Sequence, residues 1–168
     1  MAITGSERFL LPADCAPKIR ALYDYWLSIH PGTGLPGRRH FDPVDIPALL
    51  PNIWMIDVAR EPWRFRFRLL GTEIVKFTGR DGTGRWLDEI YPRFGDSAAF
   101  RFYRGCAESG RPSYRRGSAH AGLEGKPVAA EQLTLPLAAD GETVDILLMM
   151  TLYAELPPPP ARYRESED

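Results

Sequence analysis

From Arg64 to Leu70 the chain alternates polar and apolar residues without a break. Phe65, Phe67 and Leu69 point to one side and Arg64, Arg66 and Arg68 to the other, the period-two pattern of a half-buried strand. The apolar trio is expected inside and Arg64 and Arg66 in solvent, because a slip of one residue would exchange the two faces. Gly71 then allows a sharp turn, and Thr72 offers a hydroxyl to cap a short helix whose apolar side is Ile74, Val75 and Phe77. Gly79, Gly82 and Gly84 interrupt that helix before a second helical turn. Residues 63–91 therefore read as strand, tight turn and short helices.

Upstream, Ile19, Leu22, Tyr23, Trp26 and Ile29 recur at helical spacing, with Pro17 in the first turn and Asp14 available as a cap. This predicts an amphipathic helix over 15–30, preceded by a flexible arm at 1–14. Asp42 and Pro43 read as the cap and first residue of a short helix that ends before Pro51. Residues 53–58 form a first strand, with Trp54, Ile56 and Val58 on one face and Ile53, Met55 and Asp57 on the other. Residues 93–109 give a longer helix with a ridge of Phe94, Ala98, Phe102 and Cys106, stopped by Gly110. Three strands follow, at 112–120, 126–137 and 142–156.

In the last strand Val144, Ile146, Leu148, Met150 and Leu152 make one apolar face and Leu147, Met149 and Tyr153 a second, so cover is expected on both sides. The short helices are one cover. The helix at 15–30, packed on Leu147, Met149 and Tyr153 of its own or a neighbouring chain, is the other, and an apolar strip shared between protomers predicts a homodimer. The prolines at 157–160 open a tail, 157–168, expected to be disordered.

This order of elements is α+β: a five-stranded antiparallel sheet with short helices over one face and an N-terminal amphipathic helix. Three stretches carry a resemblance as well. R-L-L-G-T at 68–72, G-R-D-G-T-G at 79–84 and F-D-P-V-D-I-P-A-L-L-P at 41–51 together resemble the PAS-type sensory fold, specifically a bacterial family of small single-domain PAS proteins. The resemblance covers about residues 19–153 and places the PAS-like domain at 15–156. Its light-sensing branch forms a flavin adduct on a cysteine in an N-C-R-F-L-Q-like helix beside the pocket. Here the sequence is Arg104-Gly105-Cys106-Ala107, at the end of the long helix, so flavin is not expected. Haem would need a histidine aimed into the pocket and is not expected either.

Composition and charge narrow the function. With 44% hydrophobic and 11% aromatic residues in 168, the chain can build a single-domain core. No apolar run is long enough to span a bilayer and no signal peptide is visible, which predicts a cytoplasmic protein. Basic and acidic residues balance at 21 and 22, for a net charge of −1, which removes the whole-domain case for nucleic acid. Cys15 and Cys106 read as free thiols. His30, His40 and His120 are scattered, with no H-E-x-x-H, Cys-x-x-Cys or G-x-S-x-G, so neither catalytic nor metal-binding residues are assigned.

Aromatic residues are the more useful clue. Trp54, Ile56, Phe65, Phe67, Phe77, Trp86, Tyr91, Phe102, Tyr103 and His120 fall on elements that would enclose a cavity in such a fold, and either fill the core or line a pocket for a small apolar or aromatic ligand. The leading expectation is a non-enzymatic sensory or regulatory domain that acts through ligand binding and contact with a separate signalling protein. Two other readings stay open: a small enzyme or carrier for an apolar metabolite, and a nucleotide- or polyanion-binding module using Arg64, Arg66 and Arg68.

Overall fold

The structure, a computed structural model, describes residues 9–121 and 126–155. Residues 1–8 of the expected arm and the expected tail at 157–168 lie outside them. Five antiparallel strands, β1 (Ile53–Ala59), β2 (Arg64–Leu70), β3 (Ser113–Ala121), β4 (Lys126–Leu137) and β5 (Ile146–Glu155), form one sheet in the order β2-β1-β5-β4-β3. β5 is central, and Leu147, Leu148, Met149 and Met150 are each 0% exposed. A strand apolar on both faces needs two covers, and the sheet accordingly divides the interior into two cores.

On the outer face, Ile53, Met55, Leu133, Leu135, Leu148 and Met150 pack against Ile19, Leu22 and Trp26 of α1 (Pro17–Ser28). On the inner face, Trp54, Ile56, Phe65, Phe67, Leu147 and Met149 pack against α2 (Thr72–Thr78), α3 (Leu87–Ile90) and α4 (Ala98–Ser109). α1 thus covers the opposite face of β5 from the one expected: Leu147 and Met149 belong to the inner core, with Tyr153 packed against it. The cause is strand pairing. Met149 lies opposite Trp54 and Met150 opposite Ile53, so the faces of β5 are assigned by β1 and not by its own composition.

α1 is held to its own chain. Pro17 begins it, the Trp26 indole N–H donates to the Pro136 carbonyl (3.1 Å), and the Ala16 N–H donates to Glu131 Oε1 (2.8 Å). Asp14, expected as its cap, instead pairs with Arg116 (3.0 Å). Residues 9–14, expected as part of a loose arm, lie against the helix: Leu11 is buried and Phe9 meets the Tyr23 ring edge-on. Their apolar side chains extend the stripe of α1 by another turn of chain.

Further departures have local causes. β2 alternates as far as Phe67, but the register shifts between Met55 and Ile56, which pair with Leu69 and Phe67. Arg68 is the extra residue of this bulge, so Leu69 turns to the outer face beside Met55 and is 38% exposed, while Leu70 takes the inner side with Trp54. The helix expected after Asp42 is replaced by 3₁₀ turns at Pro43–Asp45 and Leu50–Asn52, because Pro43, Pro47 and Pro51 each remove a backbone donor and restrain the residue before. In the longer helical segment a 3₁₀ turn at Phe94–Asp96 precedes α4, whose start Ser97 caps through Phe100 N–H (3.1 Å). The buried side of α4 is therefore Tyr103, Cys106 and Ala107, and Phe102 is 45% exposed.

Gly71 is required for a different reason from the one its sequence suggests. Its φ is −67°, open to any residue, and Thr72 follows it as the first helical residue with no side-chain cap at this end of α2. A Cβ at Gly71 would instead run into the carbonyl oxygens of Leu50, Pro51 and Ile53, and the Gly71 N–H donates to the Ile53 carbonyl (2.7 Å). Gly71→Ala is expected to cost about 1–3 kcal/mol or more, the range of overpacking against atoms that cannot yield. Urea denaturation measures it, and a midpoint unchanged from wild type would contradict this packing.

Candidate functional site

Between the inner face of the sheet and helices α2–α4 lies a cavity of about 920 Å³. Its size is set by small residues where large ones would close it: Ala98 and Ala99 on α4, Gly117 on β3 and Ala130 on β4. α2 contributes Ile74 and Thr78, and α3 contributes Leu87 and Ile90. Aromatic rings make most of the remaining wall, with Trp54 and Phe67 from the sheet, Tyr91 and Phe94 from the connecting segment, and Phe102 and Tyr103 from α4. The volume lies in the range of sites that enclose a small molecule.

The floor is crossed by a file of polar side chains from four adjacent strands. Arg115 Nε on β3 donates to Gln132 Oε1 on β4 (2.8 Å), Gln132 Nε2 donates to Thr151 Oγ1 on β5 (2.9 Å), and Trp54 Nε1 on β1 donates to the same oxygen (2.9 Å). Gln132 and Thr151 are 6% and 2% exposed, so these bonds satisfy groups that water cannot reach. Thr151 is the junction, accepting from both sides. The Arg115 guanidinium lies over the rings of Phe102 (5.1 Å) and Tyr103 (5.8 Å). Burial raises the pKa values of the Tyr103, Tyr153 and Tyr91 hydroxyls above the ordinary tyrosine value, so all three keep their protons at neutral pH.

Of the residues proposed for a pocket from sequence, Trp54, Phe67, Tyr91, Phe102 and Tyr103 line the cavity. Ile56 and Phe65 are sealed beneath it in the inner core. Phe77 is turned aside and stacks on Tyr153 (4.9 Å). Trp86 lies outside, at the edge of β2, under the guanidinium groups of Arg64 (4.2 Å) and Arg66 (5.5 Å). His120 is in β3 opposite Pro127, and its side chain is outside the described residues. Tyr153, assigned to helix packing, lines the cavity, and Arg115, Gln132 and Thr151 were missed. The helix-packing candidates on α1 are engaged on their own sheet: Ile19, Leu22 and Trp26 are buried, with Tyr23 and Ile29 packed beside them.

The arginine row is occupied by ion pairs. Arg64 forms two bonds to Asp88 (2.7 and 2.8 Å), and the bulge lets Arg66 and Arg68 share Asp57, one on each carboxylate oxygen (3.0 Å each). That pairing removes the observation on which polyanion binding rested. Cys106 does not line the cavity; it is buried, and burial pushes its thiol up to about 12. His30 and His40 are tied to local backbone, at Trp26 O (2.8 Å) and Gly37 N–H (2.9 Å). Among the described residues no group of His, Cys, Asp and Glu is placed to hold a metal ion, and no helix is long and apolar enough to cross a membrane.

A family model described as a PAS domain matches residues 15–151, and the chain belongs to that family. PAS domains are sensory modules of signal transduction, and this chain is one of them. No curated protein is similar to it at a significant level. Among solved structures it is similar to a light-oxygen-voltage protein of Rhodobacter sphaeroides, at 12% identity and a TM-score of 0.48, over 67% of this chain and 68% of that one. A light-oxygen-voltage domain studied with a flavin analogue matches at 15% identity and 0.49, over 67% and 83%. The dark structure of the blue-light photoreceptor Aureochrome1 matches at 15% and 0.49, over 68% and 84%.

The expectation against flavin is corrected: light-oxygen-voltage domains, one of them studied with a flavin analogue, are among the structures this fold resembles. That expectation rested on the position of Cys106, which bears only on a covalent adduct. The cavity has the volume and the flat aromatic walls for a planar ring system held without a covalent bond, while no cysteine lines it.

Thr151→Val is expected to leave the Trp54 and Gln132 N–H groups without their acceptor, costing about 1–3 kcal/mol of stability, with Thr151→Ser retaining most of it. Denaturant titration of the two variants checks this. Equal midpoints for both variants and wild type would contradict the junction.

Proposed function

We propose that this PAS domain senses a small molecule bound in the inner cavity and passes its occupancy through the sheet to α1, which contacts a separate signalling protein or a second copy of the chain. The observation that carries the reading is the polar file crossing a cavity wide enough for a ligand. A site with a few convergent polar groups among aromatic walls has the anatomy of small-molecule recognition. The route outward is short. Thr151 and Trp54 face the ligand, and their chain neighbours Met150, Ile53 and Met55 lie under α1, so a shift of the floor is a shift of the seat of the helix.

The reading is non-enzymatic. Among the described residues the lining includes no cysteine, histidine or carboxylate, and the three tyrosines are held protonated, so these residues offer binding groups and no general base.

Native mass spectrometry of the freshly purified chain tests this and reads the oligomeric state in the same experiment. A small-molecule adduct is expected in wild type and lost in Ala99→Phe, which fills the cavity from α4, and visible absorbance identifies the adduct if it is a flavin. An adduct that survives in Ala99→Phe lies elsewhere and contradicts the assignment. So does a wild type that binds nothing together with a variant destabilised by the about 1–3 kcal/mol of an overpacked core.

A further inference from the structure

Among the described residues that line the cavity three are arginines and none is acidic. Arg116 is accounted for, since its guanidinium turns to the outer side and binds Asp14 (3.0 Å) and Glu131 (3.7 Å). Arg93 is exposed in the segment before α4. Arg115 is different: half-buried, facing inward, and without a carboxylate partner among the described residues. Withdrawing a guanidinium from water costs free energy unless an opposite charge meets it.

Its orientation is fixed. Nε is committed to Gln132, and the aromatic rings of Phe102 and Tyr103 support the guanidinium plane. The two terminal amino groups have no carboxylate beside them among the described residues, and the Tyr103 hydroxyl lies against the same guanidinium. The far side of the file carries no charge: Gln132, Thr151 and the Trp54 indole are neutral, and Gln132 Nε2 and the indole N–H each donate to Thr151 Oγ1. The cavity floor therefore presents donors at one end, aimed end-on, and flat apolar walls elsewhere. Planar paired donors of this kind match the two oxygens of a carboxylate.

We infer that the natural ligand is an aromatic carboxylate, its acid group held end-on by Arg115 and the Tyr103 hydroxyl and its ring placed between Trp54, Phe67 and Phe102. This rests on the cavity being the sensory site. Arg115 is the specificity residue: it tells an acid from the neutral molecule of the same shape. No covalent step is involved.

The test compares 1-naphthoate with 1-naphthamide, equal in shape and different in charge, by titrating the ¹⁵N-labelled full chain and following the Trp54 indole and Gln132 side-chain resonances. Wild type is expected to bind naphthoate about ten- to a hundredfold more tightly than naphthamide, the usual worth of a hydrogen bond to a charged group. Arg115→Gln should bring the two affinities together, with naphthamide still moving the Trp54 signal, which also shows that the variant is folded. Arg115→Lys should restore part of the preference. If naphthamide binds as well as naphthoate, with the Trp54 signal moving for both, the cavity is a ligand site and the acid inference is wrong. A preference that persists in Arg115→Gln also overturns it. If neither probe moves the Trp54 signal, the sensory-site reading and the inference fall together.

Discussion

The fold depends on one strand being buried on both faces. β5 carries an apolar run from Ile146 to Met150, and once it lies between β1 and β4 neither face can be left to solvent. α1 closes one side with Ile19, Leu22 and Trp26, and α2, α3 and α4 close the other. Full burial of each large apolar side chain contributes about 1.5–3 kcal/mol, so a cover that supplies several of them is integral to the domain. The two covers differ in kind. α1 is one continuous helix of 12 residues, whereas the inner cover is made of three helices separated by turns, and the cavity lies under this broken layer.

The polar file answers the problem the cavity creates. Thr151 and Gln132 interrupt β5 and β4 where apolar neighbours surround them, and a lone hydroxyl or amide there would be costly. Linked to each other, to Trp54 and to Arg115, they are satisfied, and they tie four strands together on the face a ligand would touch. Because bonds in such a chain polarise one another, a charge arriving at Arg115 is felt along the file toward Thr151 and Trp54. The neighbours of those two residues on the outer face are the residues α1 rests on. In the proposed function, sensing and output are two sides of the same strands.

Much of this was legible in the chain. The stripe of α1, the double burial of β5 and the alternation of β2 as far as Phe67 are local patterns, and each has one structural solution. What was not legible depends on partners. Leu69 reads as inward until β1 imposes a bulge at Arg68, and the face of β5 under α1 cannot be chosen when both faces are apolar. Gln132 and Thr151 stand out as polar residues in apolar strands, but their meeting requires β4 to lie beside β5, and the Trp54 indole that completes the junction comes from β1, 97 positions away from Thr151. Five of the aromatic candidates reached the cavity, while Phe77 and Trp86 were drawn away by Tyr153 and by the guanidinium groups of β2, partners that sequence spacing does not reveal. Flavin is a different case: the position of Cys106 bears on a covalent adduct alone, and a cysteine motif carries no information about binding without a covalent bond.

The central claim is that occupancy of the inner cavity is transmitted through the sheet to α1. Hydrogen exchange of the full chain, followed by mass spectrometry with and without a saturating cavity ligand, tests it most directly. Slower exchange is predicted in β5 and in Pro17–Ser28 of α1, on the face the ligand does not touch. Protection confined to the helices around the cavity, with α1 exchanging at the same rate in both states, would contradict the account.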